Sequence, residues 1–354
     1  MSARAANEFA FVNARIRGLK AQLLTVGDYE RLMQAKDYDE FLKVLMATPY
    51  GPVVSRADPS HTPYPETLAL ILAQHFSETV DSLTRTLTGR VRGLTESYLR
   101  LLLAESIKSI VRGVHVGLEQ EEILRFAVPA SPEEEQVFRG LAEAGSVDRL
   151  IDLLPYTDLR VALLTRLPAF EQYDSTAPLE VALEEWGLRS IEEALERFSA
   201  TARKPIISLM ERRVVLRNLL TVLRAMRMQL GEDIVRLSLI RFTSSSDSVS
   251  RSMLGRANWR EVFARLEQTR YREIASRLAR TYGDGENLAD VELAIEDHLA
   301  QRTRLLLMAF PFHPGTVFGF FGLKYYEIRN IRSIAVGVER GESPATIRQM
   351  ITMV

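Results

Sequence analysis

The chain has 354 residues, 46% of them hydrophobic, with 45 basic against 46 acidic side chains and no cysteine. That balance argues against a general duplex nucleic-acid binder, which needs clustered Lys and Arg to displace counterions. Without cysteine there is no disulfide framework, thiolate zinc site or cysteine nucleophile, which suits a reducing interior. A mean hydropathy of −0.05 is that of an ordinary soluble globular chain. The richest apolar window, 309–323, is interrupted by Pro311, His313 and Pro314 and falls short of the roughly 18 residues that read as a membrane span. The opening Met1-Ser-Ala-Arg shows no apolar signal region, so no export signal is expected.

Helical periodicity dominates and predicts an all-α protein; no extended run alternates apolar and polar residues. In chain order, a short N-terminal helix is expected over 12–24. A helical hairpin is then broken at 49–52 and 58–65, where Pro cannot continue a helix. A joint follows at 128–132, with Ser131 as cap and Pro132 at the first helical position. The run 214–230 is apolar over most of its circumference, as in a helix packed on several sides, and Arg213, Arg217, Arg224 and Arg227 fall in one stripe. The Ser-rich run 243–250 reads as a solvated, mobile connector. Breaks are expected at 283–285 and 310–315, and Ser343-Pro344 starts a short last helix.

One phrase recurs three times: Glu105-Ser-Ile-Lys-Ser-Ile-Val-Arg-Gly113, Arg217-Asn-Leu-Leu-Thr-Val-Leu-Arg-Ala225 and Arg329-Asn-Ile-Arg-Ser-Ile-Ala-Val-Gly337. Its second positions, Ser106, Asn218 and Asn330, stand 112 residues apart. An acid-led helix precedes each phrase, at Glu66, Glu180 and Glu292. A third mark recurs as Asp37 to Tyr50, Ser146 to Tyr156 and Asn258 to Tyr271. Three marks in one order imply triplication of a small helical domain, well beyond the roughly 20–50 residues of a solenoid repeat. The expected division is 1–122, 123–240 and 241–354, with three copies able to close around a pseudo-threefold axis and hold a partner there.

Other candidate sites read as structure. The histidines at 61, 75, 115, 298 and 313 lack the i, i+4 spacing that converges on a metal. Gly315, Gly319, Gly322 and Lys324 do not have P-loop spacing; Gly315 and Gly319 instead make a small-residue face for close helix approach. The acidic runs 133–135 and 184–185 read as solvated faces or first-turn dipole partners, not as an acid–base pair. No catalytic, cofactor or metal residue is expected. The recurring phrase carries the functional weight: Glu105, Lys108 and Arg112 form one stripe, matched by Arg217 and Arg224 and by Arg329 and Arg332. Local ion pairing within each helix is the plain alternative to three stripes facing a partner.

The segments Phe9-Ala-Phe-Val-Asn-Ala-Arg-Ile-Arg17, Tyr38 to Tyr50 and Phe312 to Arg332 resemble the C subunit of A-type and V-type ATP synthases and ATPases, whose eukaryotic counterpart is the d subunit. The last is similar to the family's C-terminal signature Lys-x-x-Glu-x-x-Asn-Leu-Arg, here Lys324, Glu327, Asn330, Ile331 and Arg332. The acid three residues before the Asn is kept only in the third copy, as Glu327; the others have Leu103 and Val215, and Ser106 replaces the first Asn. The resemblance implies a non-catalytic funnel of three similar helical domains without cofactor or small-molecule substrate. It implies a monomer within a hetero-oligomeric complex, peripheral on the cytoplasmic side of the membrane. There it would receive the central axle, made of the D and F subunits, and sit on the proteolipid ring, linking them in ATP-coupled proton or sodium-ion transport. On this basis Lys108, Arg112, Arg217, Arg224, Glu327, Arg329, Asn330 and Arg332 are the expected partner-facing residues. A helical adaptor outside any rotary machine is the alternative.

Overall fold

The computed structural model describes residues 3–55, 65–124, 127–283, 287–308 and 313–353. Helices α1 (Ala3–Lys20), α2 (Val26–Met33), α3 (Tyr38–Met46), α4 (Gly51–Val54), α5 (Pro65–Thr84), α6 (Gly89–His115) and α7 (Gln120–Leu124) come first. Next are α8 (Pro132–Ala142), α9 (Val147–Leu153), α10 (Thr157–Leu164), α11 (Leu167–Tyr173), α12 (Ala177–Leu195), α13 (Ala200–Arg227) and α14 (Glu232–Leu237). Then follow α15 (Ser244–Arg251), α16 (Trp259–Glu267), α17 (Arg272–Tyr282), α18 (Leu288–Met308), α19 (Gly315–Glu339) and α20 (Pro344–Arg348). No strand occurs among the described residues, as the periodicity predicts, and none of their helices is long and apolar enough to cross a membrane. The Asp58–Pro65 stretch and the breaks at 283–285 and 310–315 lie wholly or partly outside the described residues, as do the side chains of Phe9, Phe11 and Glu66.

Equivalent helices start the same way for the same reason. The side chains of Asp37, Ser146 and Asn258 each accept the backbone N–H three residues on, at 2.8, 3.2 and 3.1 Å. Each satisfies one of the donors a helix start leaves open, a contribution of about 1 kcal/mol. The apolar positions that follow (Phe41 and Leu42, Leu150 and Ile151, Val262 and Phe263) are all buried. Beyond α3 and α16 the chain turns identically: Thr48 and Thr269 hydroxyls donate to Leu45 and Leu266 carbonyls at 2.6 Å and accept from Tyr50 and Tyr271 N–H at 3.2 Å. Where 49–52 was expected only to break helix, Gly51-Pro52 also opens α4, because a Pro in the first turn forfeits no helical hydrogen bond.

The chain folds as two compact units. One comprises Met1–Glu96, Val128–Glu135 and Ala300–Val354, the other Ser97–Ala127 and Gln136–Leu299. The first is built around α19, buried over most of its length and packed most extensively along α5, with α1, α2, α3 and α20 also against it. Gly319 permits this burial: a Cβ there would stand 2.7 Å from Leu307 N and 2.9 Å from Thr303 O on α18, so only glycine lets these backbones touch. The expected small-residue face is therefore real. In the second unit the later turns of α6 share a core with α9, α10 and α12 through Ile107, Ile110, Leu150, Leu159 and Leu183.

Two local expectations change. The N-terminal helix begins earlier, and α1 ends at Lys20. The Ser-rich run is no mobile connector: it is α15, with Thr243 capping it through Ser246 and with Ser246 and Ser250 buried. A serine run can cap and then pack when partners await it, and Asn218 Nδ2 donates to Ser250 Oγ at 2.9 Å. The expected caps at Ser131 and Ser343 do form, at 3.2 and 3.1 Å.

The long helices α6, α13 and α19 end alike. The N–H of Leu118, Leu230 and Glu342 returns to the carbonyl five residues back at 2.9 Å, through left-handed Gly117, Gln229 and Gly341. Gln229 holds φ +53° where its equivalents are glycines. Because a Cβ is strained there, Gln229→Gly should stabilise the protein by about 0.5–1 kcal/mol in chemical denaturation.

Candidate functional site

The polar stripes of the second unit are knitted into an ion lattice. Lys108 on α6 donates to Glu105 at 2.9 Å and to Glu184 on α12. Arg213 on α13 binds Glu184 at 2.7 Å and also Glu105. Arg217 lies 3.6 Å from Glu105 and 3.5 Å from Glu296 on α18. Three cations meet three carboxylates, so the lattice is locally neutral. Burial alone would raise the Glu184 carboxyl, but Arg213, Lys108 and Arg217 outweigh it and hold it well below the ordinary 4.5. Glu105 is held down in the same way, by Arg217 and Lys108 against burial.

Two rungs at the rim of this lattice are copies of one another. Arg112 forks onto Glu180, with Nε to Oε1 at 2.7 Å, and Arg224 reaches Glu292 at 2.5 Å. Both pairs span 68 residues. Since Lys108 meets Glu184 while Arg112 meets Glu180, α6 and α12 run antiparallel; Arg217–Glu296 and Arg224–Glu292 give α13 and α18 the same relation.

The repeated asparagine has a definite role. Asn218 donates to Ile240 O and accepts Ile240 N–H, both at 2.8 Å. Asn330 does the same with Thr352, at 2.5 and 3.0 Å. Each amide clamps the peptide group 22 residues on, satisfying both of its polar atoms.

In the first unit the signature residues close on a buried carboxylate. Glu327 accepts Leu24 N–H at 2.5 Å, Tyr50 Oη at 2.7 Å and Lys324 Nζ at 2.9 Å. Lys324 also donates to Tyr50 Oη at 2.8 Å and lies 4.4 Å from the centroid of its ring. Burial, reinforced by the Glu327 carboxylate, raises the Tyr50 phenol well above 10, so it remains a donor.

Among the expected partner-facing residues, Lys108, Glu327 and Asn330 are buried and bonded within this chain, and Arg217 is half-buried in the lattice. Arg112 and Arg224 are exposed, each on its own glutamate, and Arg329 is exposed with its guanidinium 5.8 Å from the Tyr325 ring. Arg332 is half-buried, and burial pushes its guanidinium down to about 10. Glu184, expected on a solvated face, is 1% exposed at the centre of the lattice, because Lys108 and Arg213 compensate its charge there. Arg100, Arg212 and Lys324 were not anticipated as a set. They stand 112 residues apart, each over an aromatic ring: Trp186, Tyr271 and Tyr50. The repeat period applied to cations, beyond the recurring phrase, would have found them.

Residues 12–350 match the ATP synthase (C/AC39) subunit family. The chain is 24% identical to the C subunit of the A-type ATP synthase of Methanothermobacter thermautotrophicus, over 97% of this chain and 87% of that protein. It is 25% identical to that of Pyrococcus horikoshii, over 97% and 90%, and 22% identical to that of Haloferax volcanii, over 98% of both.

Lys108→Met should cost about 3 kcal/mol in equilibrium unfolding, because it strips a cation from buried Glu184. Carboxyls held below 4.5 contribute stability above that value and lose it as pH falls through their lower folded values. Stability should therefore fall as pH drops below 4.5, and fall less steeply in Glu184→Gln, as thermal melts across the acid range would show.

Proposed function

Because the chain belongs to the ATP synthase (C/AC39) subunit family, we propose that it is the non-catalytic rotor subunit of an A-type ATP synthase, joining the axle to the proteolipid ring. In this reading three similar helical domains, 1–122, 123–240 and 241–354, form a collar on the cytoplasmic side of the membrane, peripheral to it. The collar receives the D and F subunits of the axle and passes torque during ATP-coupled proton or sodium-ion transport. One observation carries it: the same helix-to-helix contact recurs along the chain. Arg112–Glu180 joins long helices of the first and second copies, and Arg224–Glu292 joins those of the second and third. The last long helix, α19, packs along the first, α5, which is the contact a closed set of three requires.

A part that passes torque must resist deformation, and close-packed interiors do. Charges at its surface set orientation and register more than affinity. Exposed Arg112, Arg224 and Arg329 and half-buried Arg332 are the residues assigned to the partner-facing surface. Lys108, Arg217, Glu327 and Asn330 hold the helices that present them.

Affinity-tagged chain should bring proteolipids and axle subunits down together from detergent-solubilised membranes; an adaptor outside the rotary machine would bring down neither. Reversing Arg112, Arg224, Arg329 and Arg332 together to Glu should weaken axle capture about tenfold or more while circular dichroism stays helical. Undiminished capture would remove these four residues from the interface.

A further inference from the structure

The cation repeated at 112-residue intervals sits in three related seats, and one of them is open. In the third copy Lys324 lies over Tyr50 and is buried, and its charge is met by Glu327 three residues on. In the second, Arg212 is half-buried with its carbon Cζ 5.4 Å from the Tyr271 centroid, and its Nη1 lies 3.3 Å from His298 Nε2. In the first, Arg100 lies 5.7 Å from the Trp186 centroid and is exposed. It makes no hydrogen bond or ion pair among the described residues. The position three residues on, where the third copy has Glu327, holds Leu103 in the core.

The seat under Arg100 is built. Trp186 is 7% exposed, and its indole N–H donates to Asp158 Oδ2 at 2.7 Å. Tyr156, the equivalent of Tyr50 and Tyr271, packs on the same indole with ring centroids 5.9 Å apart. A ring fixed at its N–H and on its side offers a steady face, and a guanidinium over that face keeps its N–H fork free. Such a fork matches a carboxylate in bidentate geometry at little further cost in side-chain freedom.

We propose that Arg100, seated on Trp186, is the docking point for an aspartate or glutamate of another subunit of the complex, which supplies from outside the carboxylate that Glu327 supplies to Lys324 from within. This rests on the rotor-subunit reading. The precedent at the third seat is a protein carboxylate, and it is this that selects a protein acid over a lipid phosphate. Arg100 is thus an interface residue of the first copy that the second and third copies cannot duplicate, their cations being turned inward.

The test uses the whole chain in its assembled complex. Tagged wild type, R100K, R100E and R92E are each expressed with the other ATP synthase subunits and purified; R92E reverses another exposed arginine, one already paired with Glu96. Treatment with a carbodiimide joins an amine directly to a carboxylate it touches. The amine placed at position 100 in R100K should give a crosslink to an Asp or Glu of another subunit, absent from wild type. R100E should be retained about tenfold less well than R92E, with helix content unchanged by circular dichroism. A crosslink confined to carboxylates of this chain, R100E retained as well as R92E, or loss of anionic lipid alone would overturn the proposal. Wild type that fails to join the complex overturns the rotor reading with it; wild type and R100E joining equally overturns this inference alone.

Discussion

Glu184 has given up its water, and the second unit is arranged around that cost. Moving a carboxylate from water into a protein interior costs several kcal/mol even after relaxation. Two cations from two different helices compensate it, Lys108 from α6 and Arg213 from α13, and both also hold Glu105. Such a lattice adds little net stability compared with a well-packed apolar core of the same volume. Its consequence is register. A slip of one turn between α6 and α12 would move Lys108 and Arg112 away from Glu184 and Glu180 together, leaving a buried charge alone. Hydrophobic faces tolerate small slides, whereas paired buried charges do not, so the ions fix what the apolar contacts leave loose.

The first unit meets the same problem with a different set of groups. Glu327 is surrounded by a phenol, an ammonium and a backbone N–H drawn from three stretches of chain: Tyr50, Lys324 and Leu24. This ties α19, the central helix of that unit, to the turn after α3 and to the residue just before α2. The asparagine clamps act alongside it, using one side chain to pin a returning peptide 22 residues away. The clamps close over 22 residues each, whereas Tyr50 and Leu24 reach Glu327 from 277 and 303 residues away, so local and very long-range contacts meet on one helix.

Much of this was legible in the sequence because it follows from backbone chemistry. Helix periodicity, caps at Ser131 and Ser343, and glycine spacing at 315 and 319 each report a local requirement that only a few residues meet. The recurrence of the caps at 37, 146 and 258 was legible because the capping and apolar positions repeat in order. What stayed hidden depends on partners far along the chain. Glu184 looks like any acid on an amphipathic helix, since periodicity reports which face is apolar and says nothing of which cations lie opposite. The run 243–250 looks like a linker because serine favours turns; its burial follows from Asn218 waiting for Ser250. The seats of Arg100 and Arg212 leave no local trace because their rings come from other segments.

Comparison of the copies separates two kinds of position. Some that build the fold recur three times: the caps at 37, 146 and 258, and the left-handed helix ends at 117, 229 and 341, kept even where Gln229 makes the conformation costly. Several that carry charge diverge, although a cation recurs at 100, 212 and 324. The rung arginine at 112 and 224 is Val336 in the third copy, and the phrase's first position changes from Glu105 to Arg217 and Arg329. A requirement of folding alone would act on all three copies equally and keep them alike. Divergence at these charged positions over recurring caps is what a partner without threefold symmetry would impose, because each copy then meets a different part of it. On the proposed rotor reading, recurring caps with unequal charges would leave an axle one seat in which to rest.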